Sequence, residues 1–215
     1  GNHDDEQGVS REELLKLYQL YGGEYCLAYD AEPALTGVGT HNLTIKSSDG
    51  SKIAYNLYMF DSNSYTSDEN GNHLGYDAVH EDQIEWYKNT SAEVKPANNG
   101  ETVHAMAFQH IVVQEAFEKL FIESPFNLGD LTLNFDGKYY TYLPFVRDIK
   151  DGFLLEAPCP GYYNYGQFDA FVETGDVVAC FSGHDHPNSY IVSKDGVDIV
   201  NTPGASFESY GDNSV

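Results

Sequence analysis

Two short apolar segments each run straight into a histidine, and that pairing limits the fold more than any other feature of the chain. Residues 102–110 read as a buried strand, in which Val103, Ala105, Ala107 and Phe108 are small or apolar, ending on Gln109-His110. Residues 177–181 read as a second short apolar strand, with Gly175-Asp176 before it and Ser182-Gly183 after it, leading into Gly183-His184-Asp185-His186. A glycine just past a strand end permits a tight turn. Two histidines two residues apart on that turn can aim at one spot beyond the strand's C-terminal edge, which is where open α/β sheets place ligands. Neutral imidazole is the commonest side-chain metal ligand. A third constellation, Gly1-Asn2-His3-Asp4, opens the chain. Taken singly, each also has a structural reading: a satisfied histidine at a strand end, a chance turn, a frayed terminus.

The rest of the chain supplies the elements around these motifs. Residues 8–21 read as a helix capped by Ser10 with Glu13 in a capping box, carrying an apolar stripe of Leu14, Leu17, Tyr18 and Tyr21. Hairpins are predicted at Asp49-Gly50, between residues 41–46 and 52–60, at Asp136-Gly137, between 131–135 and 138–143, and at Asp195-Gly196, between 188–193 and 197–201. Residues 62–75 read as a polar loop and 96–100 as another. Further helices are predicted over 80–94, 114–121 and 166–173. Strands alternating with helices, but with frequent hairpins, give a mixed α/β fold with antiparallel edges rather than a pure doubly wound sheet.

Composition narrows the function. The chain of 215 residues is the length of one ordinary domain, and its aromatic content of 14% argues for a packed core despite the charge. With 11 Lys and Arg against 34 Asp and Glu, the formal charge is −23. That excludes the basic face needed to bind nucleic acid or an anionic membrane, and an anionic substrate would need positive charge from a metal ion. No apolar run approaches the roughly 20 residues that span a bilayer, so a soluble chain is expected, of unread compartment, and no signal-peptide pattern is read at its start. Cys26, Cys159 and Cys180 form neither a disulfide framework nor a zinc-finger spacing. Asn42-Leu43-Thr44 and Asn89-Thr90-Ser91 are formal glycosylation sequons, and His41, His73, His80 and His104 read as surface or packing residues.

In this order, Gly1-Asn2-His3-Asp4, the lone His110 and Gly183-His184-Asp185-His186 resemble the last three of the five ordered motifs of the calcineurin-like metallophosphoesterases. Phe60-Asp61-Ser62, Gln83-Ile84-Glu85-Trp86 and the segment from Gly175 to His186 are similar to the purple-acid-phosphatase-like branch. The resemblance covers essentially the whole chain and implies a single metallophosphoesterase-like domain over residues 1–215, part of a four-layer α/β/β/α sandwich. The family's first two motifs, Asp-x-His and Gly-Asp-x-x-Asp, are not among these residues, which open on the third. The resemblance therefore implies the C-terminal part of a catalytic domain, lacking the N-terminal motifs, with a strand or two expected beyond Val215.

The resemblance implies that Asn2, His110 and His184 ligate one metal and His186 the other, and that His3 is the general acid beside the leaving group, with Asp4 orienting it or capping the turn. Mixed N and O ligands suit Zn, Mn or Fe. The implied reaction is hydrolysis of phosphate esters by a dinuclear centre that activates a bridging hydroxide, complete only with upstream sequence, and at most one ion is expected in this chain alone. Implied partners are a small phosphorylated substrate or a phosphoprotein, and the substrate itself is not legible. An unpaired sheet edge predicts a homodimer. The alternative is a non-catalytic binding module that keeps the fold, with Tyr162-Tyr163-Asn164-Tyr165 as a ligand platform.

Overall fold

In a computed structural model of the chain, which describes residues 1–6, 8–128, 132–135, 138–142, 149–205 and 210–211, the first helix starts where its capping box sets it. The Ser10 hydroxyl accepts from the Glu13 amide (3.2 Å) and the Glu13 carboxylate from the Ser10 amide (3.0 Å), opening α1 (Arg11–Gly22). Its apolar stripe does not enter the core: no residue of α1 is buried, and Tyr21 is 84% exposed.

After a 3-10 turn at Gly23–Tyr25, the chain forms β1 (His41–Lys46) and β2 (Ile53–Met59), joined at Asp49-Gly50, where Gly50 takes a positive φ of 72°. The stretch expected to be a loop holds a small hairpin instead, β3 (Tyr65–Ser67) and β4 (His73–Tyr76), whose Tyr65 and Tyr76 rings stack at 5.6 Å. Then come α2 (Glu81–Ala97), β5 (Ala105–Phe108), α3 (Gln114–Leu120), β6 (Ile122–Ser124), β7 (Thr132–Phe135), β8 (Lys138–Thr141), β9 (Ile149–Phe153), α4 (Gln167–Thr174), β10 (Val177–Ser182), β11 (Ser189–Lys194) and β12 (Val197–Asn201). Helix α2 runs through Pro96 rather than ending at Val94, because a proline in the last turn forfeits only one late backbone bond. Strands β7 and β8 pair antiparallel as expected, and their Asp136-Gly137 turn lies outside the described residues. Strands β6 and β9 carry no apolar run long enough to have been read beforehand.

Seven strands form one sheet in the order β1-β2-β5-β10-β12-β11-β9. Strands β2, β5, β10 and β12 are mutually parallel, flanked by antiparallel β1 on one side and by β11 and β9 on the other. This is the mixed α/β architecture expected, consistent with the purple-acid-phosphatase-like sandwich. A second sheet has the order β6-β8-β7.

One face of the large sheet is sealed by aromatic side chains. Tyr58 on β2 meets Tyr87 of α2 edge-on at 4.8 Å, and Tyr87 meets Phe171 of α4 at 5.2 Å. Buried among them, the Asp176 carboxylate accepts from the Tyr87 and Ser91 hydroxyls, the latter at 2.7 Å, with the Tyr58 hydroxyl at 3.4 Å. The Asp176 carbonyl accepts from the Ala105 amide (2.8 Å), which ties the start of β10 to the start of β5. On the opposite face Phe108 stacks on Phe181 at 5.0 Å, and an open cleft of about 570 Å³ separates these side chains and Met59 from α1.

Candidate metal centre

The four parallel strands end at one edge, and backbone bonds carry their alignment past the strand ends. The Gln109 amide donates to the Phe181 carbonyl (3.0 Å), the Gly183 amide to the His110 carbonyl (3.2 Å) and the Thr202 amide to the Ser182 carbonyl (2.8 Å). His110 and His184 therefore leave neighbouring strands side by side, with ring centroids 5.0 Å apart and His184 Nδ1 3.2 Å from His110 Nε2. Gly183 is not in the left-handed region, and a side chain there would meet Thr202 Oγ1 at an ordinary 3.4 Å, so neither φ nor packing accounts for the glycine.

Asn2 comes to the same point from the opening turn. It is 1% exposed, its Oδ1 lies 2.9 Å from His110 Nε2, and its Nδ2 donates to the Tyr65 hydroxyl (3.0 Å). Arg11 holds this turn in place. One guanidinium nitrogen reaches both Asp61 oxygens at 2.9 Å, and another donates to Ser64 Oγ (2.6 Å) and the Gly1 carbonyl (3.3 Å). Ser64 in turn donates to the Asn2 carbonyl (3.0 Å). Asp61 also accepts from the Val38 amide (2.8 Å), so the clamp is anchored just beyond β2.

Three sequence-predicted residues thus touch one another, while His3 and His186 lie near enough to act on the charge of His184 but give their Nδ1 atoms to other partners. His186 turns its Nδ1 to the Tyr210 carbonyl (3.1 Å) and stacks on that ring at 4.6 Å, while Gly204 packs beneath it, where a side chain would meet its Cβ at 3.2 Å. His3 is exposed, and Glu6, not Asp4, holds its Nδ1 (2.6 Å); Asp4 pairs with the Gly1 amine.

The electrostatics favour lone pairs over protons. His110 is held down at about 3 and His184 at about 4, mainly by burial, with neighbouring positive charge adding, so both rings are neutral near pH 7. Burial pushes the Asp185 carboxyl up to about 6. Its Oδ1 accepts from the Cys159 amide (3.1 Å), and its buried Oδ2 has no partner among the described residues. Asn201 fixes the histidine turn by donating from Nδ2 to the Asp185 (3.0 Å) and Asn188 (2.9 Å) carbonyls.

Two donors about 2.1 Å from one ion at angles of roughly 90–110° lie about 3.0–3.4 Å apart. His110 Nε2 lies 2.9 Å from Asn2 Oδ1 and 3.2 Å from His184 Nδ1, close to that span, so His110 can share an ion with each of them. No group of three His, Cys, Asp or Glu side chains that could share an ion occurs among the described residues; the third donor here is an amide oxygen. A second ion would have His186 alone among the predicted ligands.

Several residues at the site escaped sequence reasoning. Tyr76 sets its ring edge-on to His184 at 4.2 Å, and Tyr65 holds Asn2; both lie in or beside the stretch read as a loop. Asp61 is legible only as part of the family-like Phe60-Asp61-Ser62 segment, and nothing in the sequence marks Arg11 as its partner.

No family model matches the chain. Curated relatives do. "Probable inactive purple acid phosphatase 14" of Arabidopsis thaliana is 29% identical, in an alignment covering 98% of this chain and 49% of that protein. "Probable inactive purple acid phosphatase 29" and "Probable inactive purple acid phosphatase 28" of the same plant are 26% and 24% identical, each over 98% of this chain and covering 50% and 49% of themselves. The chain spans about half the length of the curated relatives it matches. Among the described residues no helix is long and apolar enough to cross a membrane. Likeness along nearly the whole chain, joined to a large mixed sheet with histidine turns at its C-terminal edge, supports the assignment of this chain to the purple-acid-phosphatase-like branch of the metallophosphoesterases.

Proposed function

We propose that the chain carries part of the active site of a metal-dependent phosphoester hydrolase, acting on a small phosphorylated substrate or a phosphoprotein. The observation that carries this reading is that Asn2 Oδ1 and His184 Nδ1 both approach His110 Nε2, at 2.9 and 3.2 Å, with both imidazoles neutral. Zn, Mn or Fe bound there would supply Lewis acidity and the positive charge that a phosphate needs on a chain of −23. The chain's own residues do the rest. Asn201 and Asp185 fix the histidine turn. Arg11 and Ser64 fix Asn2. Glu6 holds His3 by Nδ1 and leaves Nε2 to protonate a leaving oxygen. A second ion, held in part by His186, would take its other ligands from outside the predicted set.

The second reading is a non-catalytic binding module that retains the fold. The engagement of His186 with Tyr210 favours it, as does the word "inactive" in the names of the relatives. Metal analysis together with hydrolysis of an aryl phosphate, on this chain and on the full coding sequence containing it, separates the two. Hydrolysis that depends on His184 supports the first reading. A full-length protein inert with Zn, Mn and Fe refutes it.

A further inference from the structure

Beside the histidine pair lies a cleft of about 470 Å³, lined mainly by Tyr76, Phe117, Leu133, Tyr140 and Tyr162. Two contacts join it to the candidate metal centre. Tyr76 lines the cleft and also sets its ring against His184 at 4.2 Å. Cys159 lines the cleft too, and its amide donates to Asp185, between the two turn histidines. Cleft and centre are thus one aromatic ring apart.

The cleft is built rather than incidental. The Tyr162 amide donates to the Tyr76 carbonyl (2.8 Å), and Gln114 Nε2 donates to the carbonyls of Gly161 (2.8 Å) and Tyr162 (3.1 Å), which pins the wall. Gly161 permits that approach, since a side chain there would come within 2.5 Å of the Asp77 carbonyl. Leu133 and Tyr140 face each other across β7 and β8, and Phe117 meets Tyr140 edge-on at 5.3 Å. No lining residue among those described is cationic, and Glu118 on the rim pairs with Lys194. Such a surface offers a phosphate no positive charge and accepts a flat apolar group.

We infer that the cleft receives the organic part of the ester, an aryl or similarly flat apolar group, while its phosphate sits at Asn2, His110 and His184. This rests on the phosphoester reading and narrows its substrate class to esters with a bulky apolar group. Part of the tyrosine-rich segment 162–165 then forms a wall of the cleft rather than a free platform.

Calorimetric titration with phenylphosphonate and methylphosphonate in saturating Mn²⁺ tests the inference without relying on turnover. Phenylphosphonate is expected to bind about tenfold more tightly, from burial of one ring. Tyr162→Ala and Leu133→Glu, both at partly exposed positions outside the metal centre, are each expected to cut that preference below about threefold and leave methylphosphonate binding unchanged. Equal affinities in the wild type, or a full preference in both variants, overturns the cleft's role alone. Binding of neither phosphonate overturns the phosphoester reading and the cleft's role with it.

Discussion

Removing the Tyr87 hydroxyl should cost the fold about 2 kcal/mol, although Tyr87 lies far along the sheet from the candidate site. Tyr87 is 1% exposed, and its hydroxyl donates to a buried carboxylate, that of Asp176. A hydrogen bond to a charged group contributes about 1.5–3 kcal/mol, and deleting the donor leaves a buried anion with one fewer partner. Ser91, at 2.7 Å, and Tyr58, at 3.4 Å, remain, so Asp176 is not stripped, and Tyr87→Phe sits mid-range. Asp176→Ala should cost more, about 3–5 kcal/mol, because it orphans three hydroxyls at once and opens a cavity. For a chain of this size about 2 kcal/mol corresponds to a fall in Tm of roughly 4–8 °C. Urea unfolding followed through Trp86, which packs edge-on to Tyr58 at 6.2 Å, reads the transition. A Tyr87→Phe variant within about 0.5 kcal/mol of wild type would refute the reasoning. Asp176 ties β10 to β5 at the ends opposite His184 and His110, so a loss of stability should also loosen their spacing.

Further outcomes are expected elsewhere. Arg11→Met removes the bidentate hold on Asp61 and the bonds to Ser64 and Gly1, and should weaken metal binding about tenfold with little change in global stability, read by metal titration alongside urea unfolding; unchanged metal affinity would show that the clamp does not position Asn2. The Asp185 carboxyl, raised from 3.8 to about 6 in the folded chain, favours the native state when protonated. Its contribution is complete only well below pH 4 and is lost as pH rises through about 6, so the metal-free wild type should lose about 2 kcal/mol relative to Asp185→Asn between pH 4 and 7.5; parallel pH profiles would contradict that. Edge strand β1, with Ile45 48% exposed, should support dimerisation that Ile45→Lys suppresses, and light scattering that shows a clean wild-type monomer would refute it.

Much of the fold was legible because its signals are local. A capping box at Ser10 and Glu13, Asp-Gly turns and short apolar runs into histidines are decided by residues a few positions apart. The turn at Asp195-Gly196 has positive φ at both positions, 48° and 88°, as such a hairpin needs. The rest depends on contacts distant in sequence. The hairpin of β3 and β4 lies in a polar stretch, where Tyr65 meets Tyr76 and His73 across the turn. The apolar stripe of α1 was legible, but its exposure was not, because periodicity identifies a face and not what covers it. At the site, residue types at strand ends pointed to His110 and His184. Asp61 joins them through the parallel order of β2, β5 and β10, and Arg11 and Tyr76 through contacts to Asp61 and His184 that no local pattern encodes. The orientation of His186 reflects its ring's packing on Tyr210, which spacing within the motif does not encode.

The most direct measurement is the metal stoichiometry of the purified chain by mass spectrometry after equilibration with Zn, Mn or Fe and desalting, for wild type and for His184→Ala. One tightly held ion per chain, with affinity lost by more than about 100-fold in the variant, is the expected result. No retained ion, or one retained equally by His184→Ala, would contradict a metal centre built on Asn2, His110 and His184.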